Sequence, residues 1–288
     1  MSIRKLLLPM TGGPAGEAAL ATAISVAQRW DAHLLALHVR VDSRDVAPLA
    51  GEGLSGAMIE EMMSATEKES GERARAVRAL FDDFVHREAL TVREPLAGMT
   101  GASISFATMT GREEDLVAQQ ARLADLVVVA HPEAGEDVSS SDALHAALFE
   151  SGRPLVIAPQ IPPASIGRRI CIAWNGTAES ASAVYAALPW LSRAEAVRVL
   201  SADEYQRRGP EAPELLEYLA LHGIEAERAT FRPIEREVGA GLLAAAGEFG
   251  ADLVAMGAYS HSRLRQLILG GVTRHVLENA QLPIMMNR

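Results

Sequence analysis

Short apolar runs alternate with longer stretches in which apolar residues return every three or four positions, and the alternation spans the chain. The runs at 4–8, 33–39, 103–108, 125–130 and 154–158 read as strands, and so do those at 169–174, 196–201, 226–231, 252–256 and 283–287. Between them, helical periodicity covers 14–30, 56–89, 112–123 and 141–151, then 178–191, 211–222, 235–249 and 271–280. Runs such as DLVVVA lack the polar alternation of a half-exposed strand, which predicts strands covered on both faces, as in a parallel sheet. Strand–helix alternation of this kind implies right-handed crossovers and a doubly wound α/β fold, with mainly parallel sheets and helices on both faces.

The pattern is written twice. KLLLPMTGGPAGEAALATAISVAQRW at 5–30 has its counterpart in RICIAWNGTAESASAVYAALPWL at 169–191, each an apolar run, a glycine-containing turn and an alanine-rich helix. ARLADLVVVAH at 121–131 matches EFGADLVAMGA at 248–258, and RPLVIA at 153–158 matches LPIMMN at 282–287. Recurrence in the same order predicts two related five-stranded units. The segment APQIPPASIG, 158–167, carries three prolines and reads as a stiff, extended connector between domains at 1–160 and 168–288. Met58–Arg87 lengthens the first unit and reads as an amphipathic helix with a solvated face.

Composition narrows the function classes. With 49% hydrophobic and 22% charged residues, the chain has the balance of a globular protein. Its net charge of −10 argues against general affinity for nucleic acid or anionic membranes, though backbone N–H groups can hold a phosphate inside an acidic protein. No stretch approaches the roughly 20 apolar residues of a membrane span, and the apolar run before Pro9 is too short for a signal peptide, so a cytoplasmic location is expected. The single cysteine, Cys171, excludes an internal disulfide and reads as a small core residue.

In an open parallel sheet, ligands collect beyond the carboxyl ends of the strands where the strand order reverses. Two turns of the second unit are expected there: Ala173-Trp174-Asn175-Gly176-Thr177, and the stretch that begins at Met256-Gly257. Lacking Cβ, Gly257 would let a ligand lie against the main chain. Gly270 and Gly271 precede the helical VTRHVLENA, whose first N–H groups are unpaired and sit at its positive end; Thr273 adds a hydroxyl. No GxxxxGK[ST] loop is present, and no GxGxxG follows either first strand.

These residues make the chain resemble a tandem universal stress protein. Many members of that family carry G-x2-G-x9-G-[ST], which binds ATP or a related nucleotide; the matching frame here is Gly257-x2-Ser260-x9-Gly270-Gly271, followed by Val272 and Thr273. The spacing is kept, while Ser260 replaces a glycine and Gly271 a hydroxyl residue. The family's P-x-D-G-S turn corresponds to Ala173, Asn175, Gly176 and Thr177, with Asn in place of the Asp that faces adenine or ribose. In the first unit Pro9, Thr11, Gly12 and Gly13 keep only the turn, and Ala130, Glu133, Ser141 and Asp142 stand where glycines and a hydroxyl residue belong. The resemblance implies a cytoplasmic stress-response protein that binds ATP, ADP or AMP in its second unit, with Mg2+ as a candidate companion ion. Ala173 and Asn175 would line the adenosine, Trp174 would border the ligand or lid the sheet edge, Met256 and Gly257 would form the floor, and Ser260, Gly270, Gly271, Val272 and Thr273 would meet the phosphates. The first unit is then a packing partner that binds no ATP, the two units pairing through their final strands as family dimers do, with room for a homodimer.

Other constellations are plainer. His131, His145, His261 and His275 lie near the two strand-end regions without metal-ligand spacing, and no G-x-S-x-G elbow is present. SSSDALHAAL at 139–148 reads as a capped helix start. Trp30 and Trp190, at helix ends, read as core. No residue is placed to activate water, so hydrolysis should be slow or absent. The competing reading is an interaction module, or a binder of another small ligand, with both strand-end sites empty.

Overall fold

The structure is a computed structural model and describes residues 2–44, 55–95, 98, 100–131, 141–203, 209–258 and 271–288. The first unit runs β1 (Lys5–Pro9), α1 (Gly13–Trp30), β2 (His33–Arg40), α2 (Gly56–Arg87), β3 (Ser103–Thr110), α3 (Glu113–Ala121), β4 (Leu126–Val129), α4 (Asp142–His145) and β5 (Leu155–Ile157). The second runs β6 (Arg169–Ala173), α5 (Ala178–Leu191), β7 (Ala196–Ala202), α6 (Ala212–Leu221), β8 (Glu227–Phe231), α7 (Val238–Phe249), β9 (Leu253–Gly257), α8 (Gly271–Asn279) and β10 (Ile284–Asn287).

All ten strands lie in one sheet, ordered β3-β2-β1-β4-β5-β10-β9-β6-β7-β8. Pairing is parallel within each unit; the seam between units is antiparallel, with Ile284 opposite Ile157, Met285 opposite Val156 and Met286 opposite Leu155. Both faces are buried because side chains alternate across each strand. Leu6, Leu8, Ile170, Ile172, Leu253 and Ala255 pack toward α1, α2, α5 and α6. Leu7, Cys171, Val254 and Met256 pack toward α3, α4, α7 and α8. Each cluster runs through both units, so the seam is part of one continuous core.

Helix ends reinforce the seam. The Trp30 and Trp190 rings meet edge to face at 5.4 Å, and the Arg193 guanidinium lies 4.1 Å from the Trp30 ring centre. Arg29 donates to the Gly167 carbonyl at 2.8 Å, and Ser165 Oγ to Asp252 Oδ2 at 2.7 Å, fastening the end of the proline-rich connector. Gly167 has φ of +75°, and a Cβ there would stand 2.4 Å from Trp190 Cε3, so both its backbone and its neighbour require glycine.

Most expected elements shift by a residue or two at their ends, and three of the differences have a visible local cause. α7 starts at Val238 rather than 235, because Glu235 and Arg236 take φ of 51° and 68° in a tight turn. Reciprocal N–H to carbonyl bonds between Ile234 and Glu237, at 3.2 and 2.7 Å, close that turn. α2 stops at Arg87, ahead of Ala89 at φ of 49°. The stretch expected as one helix over 141–151 is α-helical only through His145 and continues as a π-helical turn over Ala146–Glu150. There the Ser151 hydroxyl donates back to the Ala147 carbonyl, which competes with regular helix bonding.

Candidate functional site

The strand order reverses between β6 and β9: β6 leads outward to β7, while β9 borders β10 at the seam. In an open parallel sheet such a reversal is where a ligand crevice is expected, at the carboxyl edge of the two strands. Ala173 is the register partner of Met256 on one side and of Leu200 on the other. Trp174 and Gly257 follow these partners, so two turns distant in sequence lie side by side.

Alternation sorts the expected residues onto opposite faces. Leu200 and Met256 belong to the α7–α8 side of the core, and Ala173 and Val272 pack against the same cluster. Trp174 belongs to the other side with α5 and α6, and is only 6% exposed. Its indole N–H donates to the Pro210 carbonyl at 2.9 Å, and its backbone N–H to the Leu200 carbonyl at 2.9 Å.

The turn after β6 is locally self-satisfied. Asn175 Oδ1 accepts from the Thr177 backbone N–H at 3.2 Å and from the Thr177 hydroxyl at 2.9 Å. Thr177 in turn caps α5, its hydroxyl accepting from the Ser180 N–H at 3.3 Å. The acceptor end of Asn175 is thus spent on the turn. Gly176 has φ of +76°, and the loop before α6 rests on it: a Cβ on Gly209 would stand 2.0 Å from the Gly176 carbonyl oxygen.

Gly257 has a neighbour the sequence did not suggest. A Cβ there would stand 2.5 Å from the Glu179 carbonyl carbon and 2.6 Å from the Ser180 nitrogen. The first turn of α5, from the same chain, lies on that side of the strand. α8 begins at Gly271, where a Cβ would meet nothing within 4 Å among the described residues, and the first N–H groups of such a helix have no intrahelical partner. Thr273 is buried. His275 lies on the α7 side of α8, its Cβ 2.8 Å from the place a Gly239 Cβ would take and its Nδ1 3.9 Å from Glu237 Oε2. Ser260, His261 and Gly270 lie outside the described residues.

The first unit presents a different edge. A Cβ on Gly16 would stand 2.1 Å from the Thr11 carbonyl oxygen, so α1 folds tightly over the turn after β1. His38 is buried with its Nδ1 3.1 Å from the Met10 carbonyl. Ser141 caps α4. Glu113, at the start of α3, has its pKa raised, first by burial and then by the Asp142 carboxylate, while Arg73 opposes the shift. Two carboxyl groups thus gather at this edge, and sequence reading singled out Asp142 but missed Glu113. Glu133 lies outside the described residues; His131 is buried, and the His145 ring sits 5.8 Å from that of Phe149. Among the described residues no group of three His, Cys, Asp or Glu side chains is placed to hold a metal, and no helix is long and apolar enough to cross a membrane. A groove of about 480 Å³ between α1 and the end of α2, with the Glu17–Arg87 ion pair at 2.6 Å on its rim, belongs to the first unit and not to the β6–β9 crevice.

The fold is that of a tandem doubly wound α/β protein with a strand-order reversal at β6 and β9 in its second unit. Residues 168–288, the second unit, match the model of the universal stress protein family. Among solved structures, a universal stress protein from Archaeoglobus fulgidus DSM 4304 is similar over the whole length, at 14% identity and a TM-score of 0.66, covering 100% of this chain and 97% of that one. A functionally unknown protein from Pseudomonas aeruginosa PAO1 is similar at 15% identity and a TM-score of 0.53, covering 99% and 92%. Identities this low speak for the fold, and they extend it to the first unit. No curated protein matches the chain.

Proposed function

We propose that the second unit binds an adenine nucleotide at the β6–β9 crevice and that the chain acts in a stress response through nucleotide-dependent association rather than catalysis. The observation that carries this reading is the pairing of Ala173 with Met256 at the strand-order reversal, on the sheet face that also carries α8, where a Cβ on Gly271 would meet nothing within 4 Å among the described residues. A small side chain at 173 leaves room for a flat base, and the first N–H groups of α8 suit phosphate oxygens. In this assignment Ala173, Asn175, Met256 and Gly257 border the nucleoside, while Ser260, Gly270, Gly271, Val272 and Thr273 meet the phosphates. Trp174 supports the site from the opposite face. The first unit serves as packing partner, binding no ATP.

The test is to denature freshly purified protein, look for released nucleotide, and titrate nucleotide-free protein with ATP, ADP and AMP, with and without Mg2+. Micromolar heats for one site per chain support the reading. A clean supernatant with no heat from any of the three removes it and leaves the interaction module. If the second unit alone binds, Gly271→Asp, which places a carboxylate beside the phosphates, abolishes the heats, whereas the same change in charge at Gly12 leaves them intact.

A further inference from the structure

Trp174 and the Gly209–Pro210 segment form one fixture. The Trp174 ring is buried on the α5–α6 face, yet it spends its only polar atom on Pro210, which stands just before α6. The main chain of Gly209 packs so closely on the Gly176 carbonyl that no side chain fits at 209. A Cβ on Gly176 would in turn stand 3.0 Å from the Pro210 carbonyl oxygen. The segment leading into α6 is therefore held against the β6–α5 turn by one hydrogen bond and one backbone contact. That turn carries Asn175, and Ala173 immediately precedes Trp174.

From this geometry we infer that Trp174 is a positioning residue for the nucleoside end of the crevice: it fastens the Gly209–Pro210 segment as the wall on the β7 side and so holds Asn175 and the Ala173 edge in register for a base and ribose. The inference rests on the nucleotide reading above. Three features localise the effect to one end. Trp174 lies on the face opposite α8, so it reaches no phosphate. It neighbours the residues assigned to the nucleoside. Its bond spans 36 residues and joins the loops after β6 and β7, so losing it frees one loop relative to the other without removing a core ring when phenylalanine replaces it.

The experiment compares wild type, Trp174→Phe and Gly209→Ala by calorimetric titration with adenosine, AMP, ADP and ATP, alongside thermal unfolding. Phenylalanine keeps the ring in the core and removes the donor; alanine at 209 lifts the segment without touching the tryptophan. Loss of one such hydrogen bond predicts affinity weakened about tenfold. The weakening should be the same for all four ligands, so that ratios between AMP, ADP and ATP stay at their wild-type values. Equal affinities in wild type and both variants overturn the inference while leaving nucleotide binding intact. A loss confined to ADP and ATP also overturns it, because it would place the effect at the phosphates. Absence of heat with wild type removes the nucleotide reading itself and this inference with it. If both variants fail to fold, hydrogen exchange on the wild type decides: saturating AMP must slow exchange of the Trp174 indole N–H, and an unchanged rate overturns the inference.

Discussion

Replacing Gly257 with alanine separates two explanations of that glycine. If it serves only to let a ligand approach the main chain, the variant is as stable as its parent without nucleotide and differs in binding alone. The structure puts the first turn of α5 on the side where Cβ would go, at 2.5 Å from the Glu179 carbonyl carbon, 2.6 Å from the Ser180 nitrogen and 2.8 Å from the Glu179 oxygen. Ordinary contact starts at 3.4 Å, so α5 has to retreat by close to 1 Å, and nothing flexible is available to give way because all three atoms are backbone. Val184, Ala187 and Trp190 on α5 are buried and would lose part of their packing. Forcing a methyl group into such a place costs about 1–3 kcal/mol, offset by about 0.4–1 kcal/mol from restricting the unfolded chain. A net loss of about 1–2 kcal/mol is expected. Gly247→Ala is the matched control: it sits inside α7, its Cβ would meet nothing within 4 Å, and alanine should stabilise it by about 1 kcal/mol. Urea unfolding of nucleotide-free protein measures both, with unchanged m-values as the sign that stability alone has moved. A Gly257→Ala variant at least as stable as the parent would refute the packing argument.

Three further outcomes follow from the core and its buried groups. Trp190→Ala removes a fully buried ring and its edge-to-face contact with Trp30; a loss of about 3–5 kcal/mol in urea unfolding is expected. His33, between the Ser103 and Ser105 hydroxyls, and His38, against the Met10 carbonyl, both have pKa values lowered chiefly by burial. Above the unfolded value of 6.5 both states are neutral and their contribution is fully present; as pH falls below 6.5 the unfolded chain takes up protons that the folded one refuses, so stability drops. Unfolding measured between pH 7.5 and 5.5 should show that decline, and His33→Gln should flatten part of it; an unchanged slope would count against the assignment. Burial pushes the Cys171 thiol up to about 12, so a thiol reagent at pH 8 should find no reactive cysteine in the folded protein and one per chain in denaturant.

Much of the architecture was legible in the sequence because it depends on local pattern. DLVVVA and DLVAMG are apolar at successive positions, which only a strand covered on both faces tolerates, and the structure puts alternate residues of each on opposite core clusters. Where local pattern misled, a backbone feature had intervened. Ile234–Glu237 has helix-compatible residues, yet two successive left-handed conformations turn the chain before α7 starts. The site was less legible. The contact of Gly209 and Pro210 with Gly176 joins loops after two different strands and leaves no trace in either one.

What the sequence determined by itself is the set of elements, their order and their duplication, since hydrophobic period, turn residues and helix caps act over a few residues. Strand order, the antiparallel direction of the β5–β10 seam, the face taken by Trp174 and the neighbour of Gly257 were decided only by the tertiary structure, while pairing through the final strands was expected from the family resemblance alone. Each depends on which distant segments come together, and a glycine or tryptophan has the same local signature whether a ligand or a helix of its own chain lies beside it.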